Sequence, residues 1–189
     1  MLFRSEARRR DAPRPTKAGL IGIHPFTTMD HKRWTWESWG ALVRAMAAQG
    51  LRARFFCTPG EVDILRRELP GLVPSEHVET HAGTLADFAA GLREVEVVAG
   101  LDSFVMHMAY DLGTPAVLIN GSFDPRLAAP PGTRVLSNAA ACPRHPCHQF
   151  PVCRKVGMSD FACIRRISPE QVLAEILAAR SPAEHAVAG

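Results

Sequence analysis

Two short stretches of this sequence gather side chains suited to an anion: Thr27, Thr28 and Lys32 in the first, Asp102 and Ser103 in the second. An ammonium supplies charge and hydroxyls supply direction, which is the chemistry a phosphate requires. Ser103 and the N–H groups around it can donate to such a group. Asp102 is ionised and only accepts, so it suits a sugar hydroxyl or the cap of a helix. Plainer readings stand beside these: residues 27–32 as an ordinary polar loop, and Asp102 as an N-cap. His107 follows Ser103 by four residues, one turn into the same segment. There it reads as a satisfied structural histidine or as a further ligand contact.

A second chemistry is carried by cysteines. Cys142, Cys147, Cys153 and Cys163 fall within one stretch, with His145 and His148 among them, whereas Cys57 stands alone and reads as structural. Core cysteines are expected to be scattered rather than bunched. Four thiolates from one loop can wrap one tetrahedral metal, iron or zinc, with a histidine as substitute ligand. The spacing lacks the usual pair of cysteines separated by two residues. Reduced thiols and two disulfides therefore remain as rival readings, the latter requiring an oxidising compartment. A metal held by four protein ligands is structural, because no position is left open for substrate.

The stretch around Asp102 needs a strand and a helix to position it. Residues 95–99 form an apolar run that ends at Gly100, and Asp102 and Ser103 then sit where an N-cap belongs. Phe104, Val105, Met108 and Leu112 share one side of a helix, Gly113-Thr114-Pro115 stops it, and residues 116–119 form a second apolar run. Strand, helix, strand is the unit of a parallel sheet. The turn entering the helix leaves N–H groups unpaired at its positive end.

The same alternation runs through the chain. Residues 20–24 read as a strand closed by Pro25. Thr35 caps a helix over residues 36–49, with Trp39, Leu42, Val43 and Met46 on one face and Gly50 as the stop. Residues 52–57 read as a strand, Pro59-Gly60 opens a helix over 61–69, and a weak strand lies near 78–80. Thr84 caps a helix over 85–92, and residues 133–136 make a last strand. Ser168-Pro169-Glu170 opens a final helix with Val172, Ile176 and Leu177 on its apolar side. Trp34 and Trp36 are candidates for a domain interface. The pattern predicts an α/β fold, a Rossmann-like open parallel sheet that binds ligands at the carboxyl ends of its strands. The loops at those ends are residues 25–33, 57–61, 82–84, 100–104 and 120–126, and two of them carry the phosphate-type side chains.

A chain of 189 residues fits one domain with a real core. The net charge of +3 is modest, and its basic residues are almost all arginine. With 15 prolines, that composition reflects the base content of a gene rather than a partner. No basic face interleaved with aromatics argues for nucleic acid. No apolar run reaches the roughly 18 residues of a membrane span, and no secretory apolar segment follows the start. Residues 1–18 are polar, Arg- and Pro-rich and aperiodic, so they read as a tail or truncated linker. Within them, Leu2-Phe3-Arg4-Ser5 looks like the translation of a common adaptor end, which would make residues 1–5 a non-native scar.

The order His24-Pro25-Phe26-Thr27-Thr28-Met29-Asp30-His31-Lys32 after a strand, then D-S-F-V-M-H from Asp102 to His107 and G-S-F-D-P from Gly121 to Pro125, resembles one family. It is similar to the C-terminal domain of the heptosyltransferases, bacterial glycosyltransferases of family 9, over about residues 19–180. The resemblance implies one half of a GT-B fold. Residues 19–189 would be its nucleotide-sugar-binding domain, including a cysteine-rich loop at 139–165. It implies that Thr27, Thr28 and Lys32 hold the phosphates of the donor, with Lys32 stabilising the leaving diphosphate. Asp102 would contact the donor sugar, the amides of Ser103 and Phe104 would meet the pyrophosphate, and His107 would close the motif. The implied reaction moves a heptose-type sugar from ADP-heptose or a related nucleotide sugar to a lipopolysaccharide or protein hydroxyl. Its place would be the bacterial cytoplasm, with at most peripheral membrane contact.

Two departures qualify what the resemblance implies. Phe104 stands where the family has a glycine, whose missing side chain lets backbone approach a phosphate closely. The acceptor site and general base belong to an N-terminal domain that would precede residue 19. The chain is thus expected to be a donor-binding half, inactive by itself. Its partners would be an ADP-sugar, an acceptor domain and, in a homo-oligomer, copies of itself. A branch of the family that modifies autotransporters carries a four-cysteine iron finger before a helix beginning I-S-x-E-Q-V, which here is Ile167 to Val172. That implies structural iron or zinc at Cys142, Cys147, Cys153 and Cys163, at a different spacing. Two other functions fit the architecture. One is half of a sugar-nucleotide epimerase, marked by carboxylates near the sugar. The other is a non-catalytic metal-finger or assembly module that has lost donor binding.

Overall fold

The structure, a computed structural model, describes residues 17–142, 144–147, 153 and 161–180. The expected tail at 1–18 therefore lies almost entirely outside the described residues, as does His148. Six strands form one parallel sheet: β1 (Leu20–His24), β2 (Arg52–Cys57), β3 (Val78–Ala82), β4 (Val97–Leu101), β5 (Ala116–Asn120) and β6 (Arg134–Ser137). Their order is β3-β2-β1-β4-β5-β6. The order reverses direction between β1 and β4, so the loops leaving these two strands flank a crevice at the carboxyl edge. Both loops carry the residues singled out for anion chemistry.

Helices cover both faces, as an all-parallel sheet requires. Among the described residues they include α1 (Trp36–Ala48), α2 (Pro59–Glu68), α3 (Leu85–Glu94), α4 (Phe104–Leu112), α5 (Pro125–Ala128), α6 (Ala162–Arg165) and α7 (Pro169–Arg180). One face buries Ile21, Ile23, Trp39, Leu42, Phe55 and Ile176, joining α1 and α7 to the sheet. The other buries Leu20, Phe56, Phe88, Leu92, Val98 and Val105 beneath α3 and α4. The odd and even residues of β1 supply opposite faces, as the two-residue period of a strand dictates. Thr35 and Thr84 act as the expected caps, accepting from the backbone N–H of Ser38 and Asp87. Among the described residues, no helix is long and apolar enough to cross a membrane.

Four expectations need correction. β4 starts two residues later than the apolar run and continues through Gly100 and Leu101, because Gly100 pairs with both His24 and Leu118. A Cβ at Gly100 would lie 2.8 Å from the His24 carbonyl oxygen, so only glycine fits there without a shift. The buried face of α4 is Val105, Met106 and Ala109, and Phe104 is 46% exposed. On α7, Val172 and Ile176 are buried but Leu177 reaches the surface. Trp34 is buried rather than interfacial: its Nε1–H donates to the Ile167 carbonyl at 2.9 Å and its ring meets Trp39 edge-on. Trp36 is half-buried against Phe26.

Candidate functional site

The two anion-type stretches meet at the crevice. The Lys32 ammonium lies 2.6 Å from Asp102 Oδ2, and both side chains are largely buried, at 12% and 18% exposure. Lys32 ends a single 3-10 turn, Asp30–Lys32, in the loop after β1. Asp102 directly follows β4. The carboxylate is therefore not a simple helix cap: its charge is spent on Lys32. Above the pair, the Lys32 Nζ stands 3.7 Å from the centroid of the Phe123 ring, which comes from the loop after β5. The cation thus sits between a carboxylate and an aromatic face, away from bulk water. Three loops from adjacent strands β1, β4 and β5 build this arrangement.

The remaining predicted residues lie in the same loops or on α4. Thr27 is half-buried and takes a long 3.5 Å hydrogen bond from the Met29 N–H, while Thr28 is exposed. Ser103 occupies the N-cap position of α4 without a side-chain cap bond. Its hydroxyl oxygen is buried and has no hydrogen-bond partner among the described residues. The N–H groups that open α4 precede its i→i−4 bonds, although that of Met106 donates to the Ser103 carbonyl at 3.2 Å, so the entry to this helix presents partial positive charge. Phe104 opens α4 with its ring against His24 and Phe88, at 5.8 and 5.7 Å between centroids. His107 is exposed on α4, which corrects its reading as a satisfied structural histidine.

Sequence reasoning passed over two residues of the crevice. His24 is buried at the end of β1, and its Nδ1 donates to the Phe56 carbonyl at 3.0 Å. Burial pushes its pKa below the usual histidine value, although the Phe56 carbonyl and the more distant Glu61 pull the other way. Phe123 was legible only as part of the loop after β5; nothing in local spacing places its ring under a lysine.

The cysteine segment is not a plain loop. It contains a 3-10 turn at Ala139–Ala141, and Cys163 lies inside α6. All five cysteines are free thiols, which corrects the disulfide reading. The Cys153 thiol is pushed up by burial first, then by Cys142 and Cys147, and it shares a hydrogen bond with Cys142. Cys163 is pushed up to about 11 by burial, with Cys153, Cys147 and Cys142 adding to the effect. Cys142 and Cys147 thus act on both Cys153 and Cys163. Among the described residues, no group of three or more His, Cys, Asp or Glu side chains stands ready to hold a metal ion. Cys57 is buried in β2 apart from them, as a structural cysteine should be, and burial raises it to about 11. The segment is tied to the crevice: the Cys147 N–H donates to the Ser122 carbonyl at 3.0 Å, and His145 Nε2 donates to the Gly121 carbonyl at 2.9 Å.

Residues 2–152 match the family model described as glycosyltransferase family 9 (heptosyltransferase). No curated protein matches the chain. Among solved structures, a family 9 glycosyl transferase from Veillonella parvula DSM 2008 is 21% identical, with a TM-score of 0.68 over 94% of this chain and 51% of that one. The ADP-heptose lipopolysaccharide heptosyltransferase II of E. coli is 18% identical, with a TM-score of 0.66 over 93% of this chain and 52% of that one. The iron-containing dodecameric glycosyltransferase TibC from enterotoxigenic E. coli H10407 is 24% identical, with a TM-score of 0.66 over 94% of this chain and 50% of that one. TibC has also been solved in complex with ADP-D-β-D-heptose. The chain spans about half the length of each of these structures.

Proposed function

Since this chain belongs to glycosyltransferase family 9, the heptosyltransferases, we propose that residues 19–189 are the donor-binding half of a GT-B enzyme using ADP-heptose or a related nucleotide sugar. The observation that carries this reading is the buried Lys32–Asp102 pair at the point where the strand order reverses. An ammonium has three N–H donors and Asp102 occupies one, so the others can meet diphosphate oxygens. The α4 amides and the unpartnered Ser103 hydroxyl add donors beside it. The second carboxylate oxygen of Asp102 can accept from a sugar hydroxyl. In the transfer, an acceptor hydroxyl attacks the anomeric carbon as the bond to the diphosphate oxygen breaks. Lys32 and the helix amides stabilise the charge that grows on the leaving group. A base in the acceptor domain takes the hydroxyl proton. The acceptor is a lipopolysaccharide or protein hydroxyl, the place is the bacterial cytoplasm, and TibC's dodecamer is a precedent for self-association. Family membership favours this reading over an epimerase.

Calorimetric titration tests it. ADP should bind the chain, UDP and GDP more weakly, and no sugar should be transferred by the chain alone. Lys32→Met should weaken ADP by about 1.5–3 kcal/mol, the range for a hydrogen bond to a charged group. Unchanged ADP affinity in that variant refutes the anion site, and turnover by the chain alone refutes the half-site.

The cysteine segment supports a second part of the proposal: Cys142, Cys147, Cys153 and Cys163 hold a structural iron or zinc, with His145 as an alternative ligand. Thiolates are soft donors that suit either metal, Cys142 and Cys147 act on both Cys153 and Cys163, and TibC is iron-containing. When bound, the ion would order a Pro-rich segment with few large apolar side chains, and its binding free energy would appear as folding stability. Metal analysis of protein purified without chelator should find one ion per chain; negligible content sinks this part.

A further inference from the structure

We infer that Phe123 is a positioning residue for Lys32, held in place by the cysteine-bearing segment, so that diphosphate affinity depends on a clamp outside the crevice. This rests on the assignment of Lys32 to the donor's phosphates. The Lys32 side chain is only 12% exposed, and its ammonium contacts the Phe123 ring at 3.7 Å. A cation over an aromatic face is attracted most strongly where water is excluded. Asp102 alone fixes one N–H direction of a flexible side chain; the ring restricts where the ammonium can stand.

The ring in turn depends on its loop. Asn120 Nδ2 donates to the Phe123 carbonyl at 2.8 Å. His145 and the Cys147 N–H hold the carbonyls of Gly121 and Ser122, the two residues just before Phe123. Gly121 is packed so closely that a Cβ would lie 3.0 Å from the His31 carbonyl oxygen and 3.3 Å from Ile164, the neighbour of Cys163. The loop is therefore gripped from the Lys32 side by His31 and from the cysteine side by residues 145–147 and 164. A loop so constrained transmits displacement rather than absorbing it.

The test measures ADP affinity by calorimetry in the full chain and in variants, with thermal melts to confirm folding. Phe123→Leu should weaken ADP roughly 3- to 30-fold, the span that a cation–ring contact of this kind covers, and Phe123→Tyr should stay within about two-fold. His145→Ala should weaken ADP less than Phe123→Leu does. In a Lys32→Met background, both Phe123→Leu and His145→Ala should change ADP affinity by less than about two-fold, because residues acting through one group are not additive. A general structural role predicts the same loss in both backgrounds, and that result overturns the inference. So does an unchanged affinity in Phe123→Leu while Lys32→Met weakens ADP, an outcome that leaves the donor site standing. If Phe123→Leu fails to fold, the His145→Ala comparison between the two backgrounds decides alone. Absence of ADP binding, or no effect of Lys32→Met, overturns the donor assignment and this inference with it.

Discussion

Breaking the Lys32–Asp102 pair should cost stability as well as ligand affinity. At 2.6 Å and an effective dielectric of about 20, two unit charges attract by roughly 6 kcal/mol. Desolvating both groups cancels much of this, so the pair's net worth against an apolar replacement is small. Removing one partner is different, because it strands a buried charge. For fully buried pairs that costs about 3–5 kcal/mol. Here the side chains keep 12% and 18% exposure, and residual hydration should lower the cost to about 2 kcal/mol. Lys32→Met keeps side-chain volume against Phe123 and leaves Asp102 unpaired. Asp102→Asn leaves the ammonium unpaired. Each should lower the melting temperature by about 4–8 °C, since about 1 kcal/mol shifts a domain of this size by roughly 2–4 °C. The double variant should be more stable than the sum of the two losses, with a coupling of about 1–2 kcal/mol in a double-mutant cycle. Urea denaturation of the four proteins is the assay. An exposed polar loop, the plainer reading of residues 27–32, predicts losses under about 0.5 kcal/mol and simple additivity. That result would refute the reasoning.

Other outcomes follow from the same structure. Burial lowers the folded-state pKa of His24 below the unfolded value, so the folded state disfavours its protonation. Its contribution is fully present above the unfolded pKa, near 6.5, and is lost as pH falls towards the folded value. The denaturation midpoint should drop more steeply below pH about 6.5 in the parent than in His24→Asn, and equal slopes would argue against it. Gly100→Ala should destabilise by about 1–3 kcal/mol, because the new Cβ meets the His24 carbonyl rather than a flexible side chain; a neutral melt contradicts the close approach. Chelator treatment of metal-loaded protein should lower its melting temperature, and an identical melt before and after would show that the cysteines stabilise nothing.

Much of the architecture was legible because its signals are local. β1, β2, α1 and α3 follow from apolar runs, the 3.6-residue period and Thr caps, all of which act over a few residues. Alternation of these elements suffices for a parallel sheet, and a parallel sheet brings the loops after its strands to one edge. Thus the loops carrying Thr27, Lys32, Asp102 and Ser103 could be assigned from sequence to one edge of the sheet. Their mutual partners could not. Lys32 and Asp102 are 70 residues apart, and their contact depends on β1 lying beside β4. The Phe123 ring reaches Lys32 because β5 comes next in the same order. The β4 boundary was set by pairing register with its two neighbours, which overrode the limits of its own apolar run. Arg54, buried within β2, is tolerated because Glu79 on β3 and Glu94 on α3 neutralise it at 2.5 and 2.6 Å. Periodicity and capping chemistry decide which residues form an element. Strand order and register decide which side chains meet, and these are fixed only when the two apolar faces of the sheet are buried together.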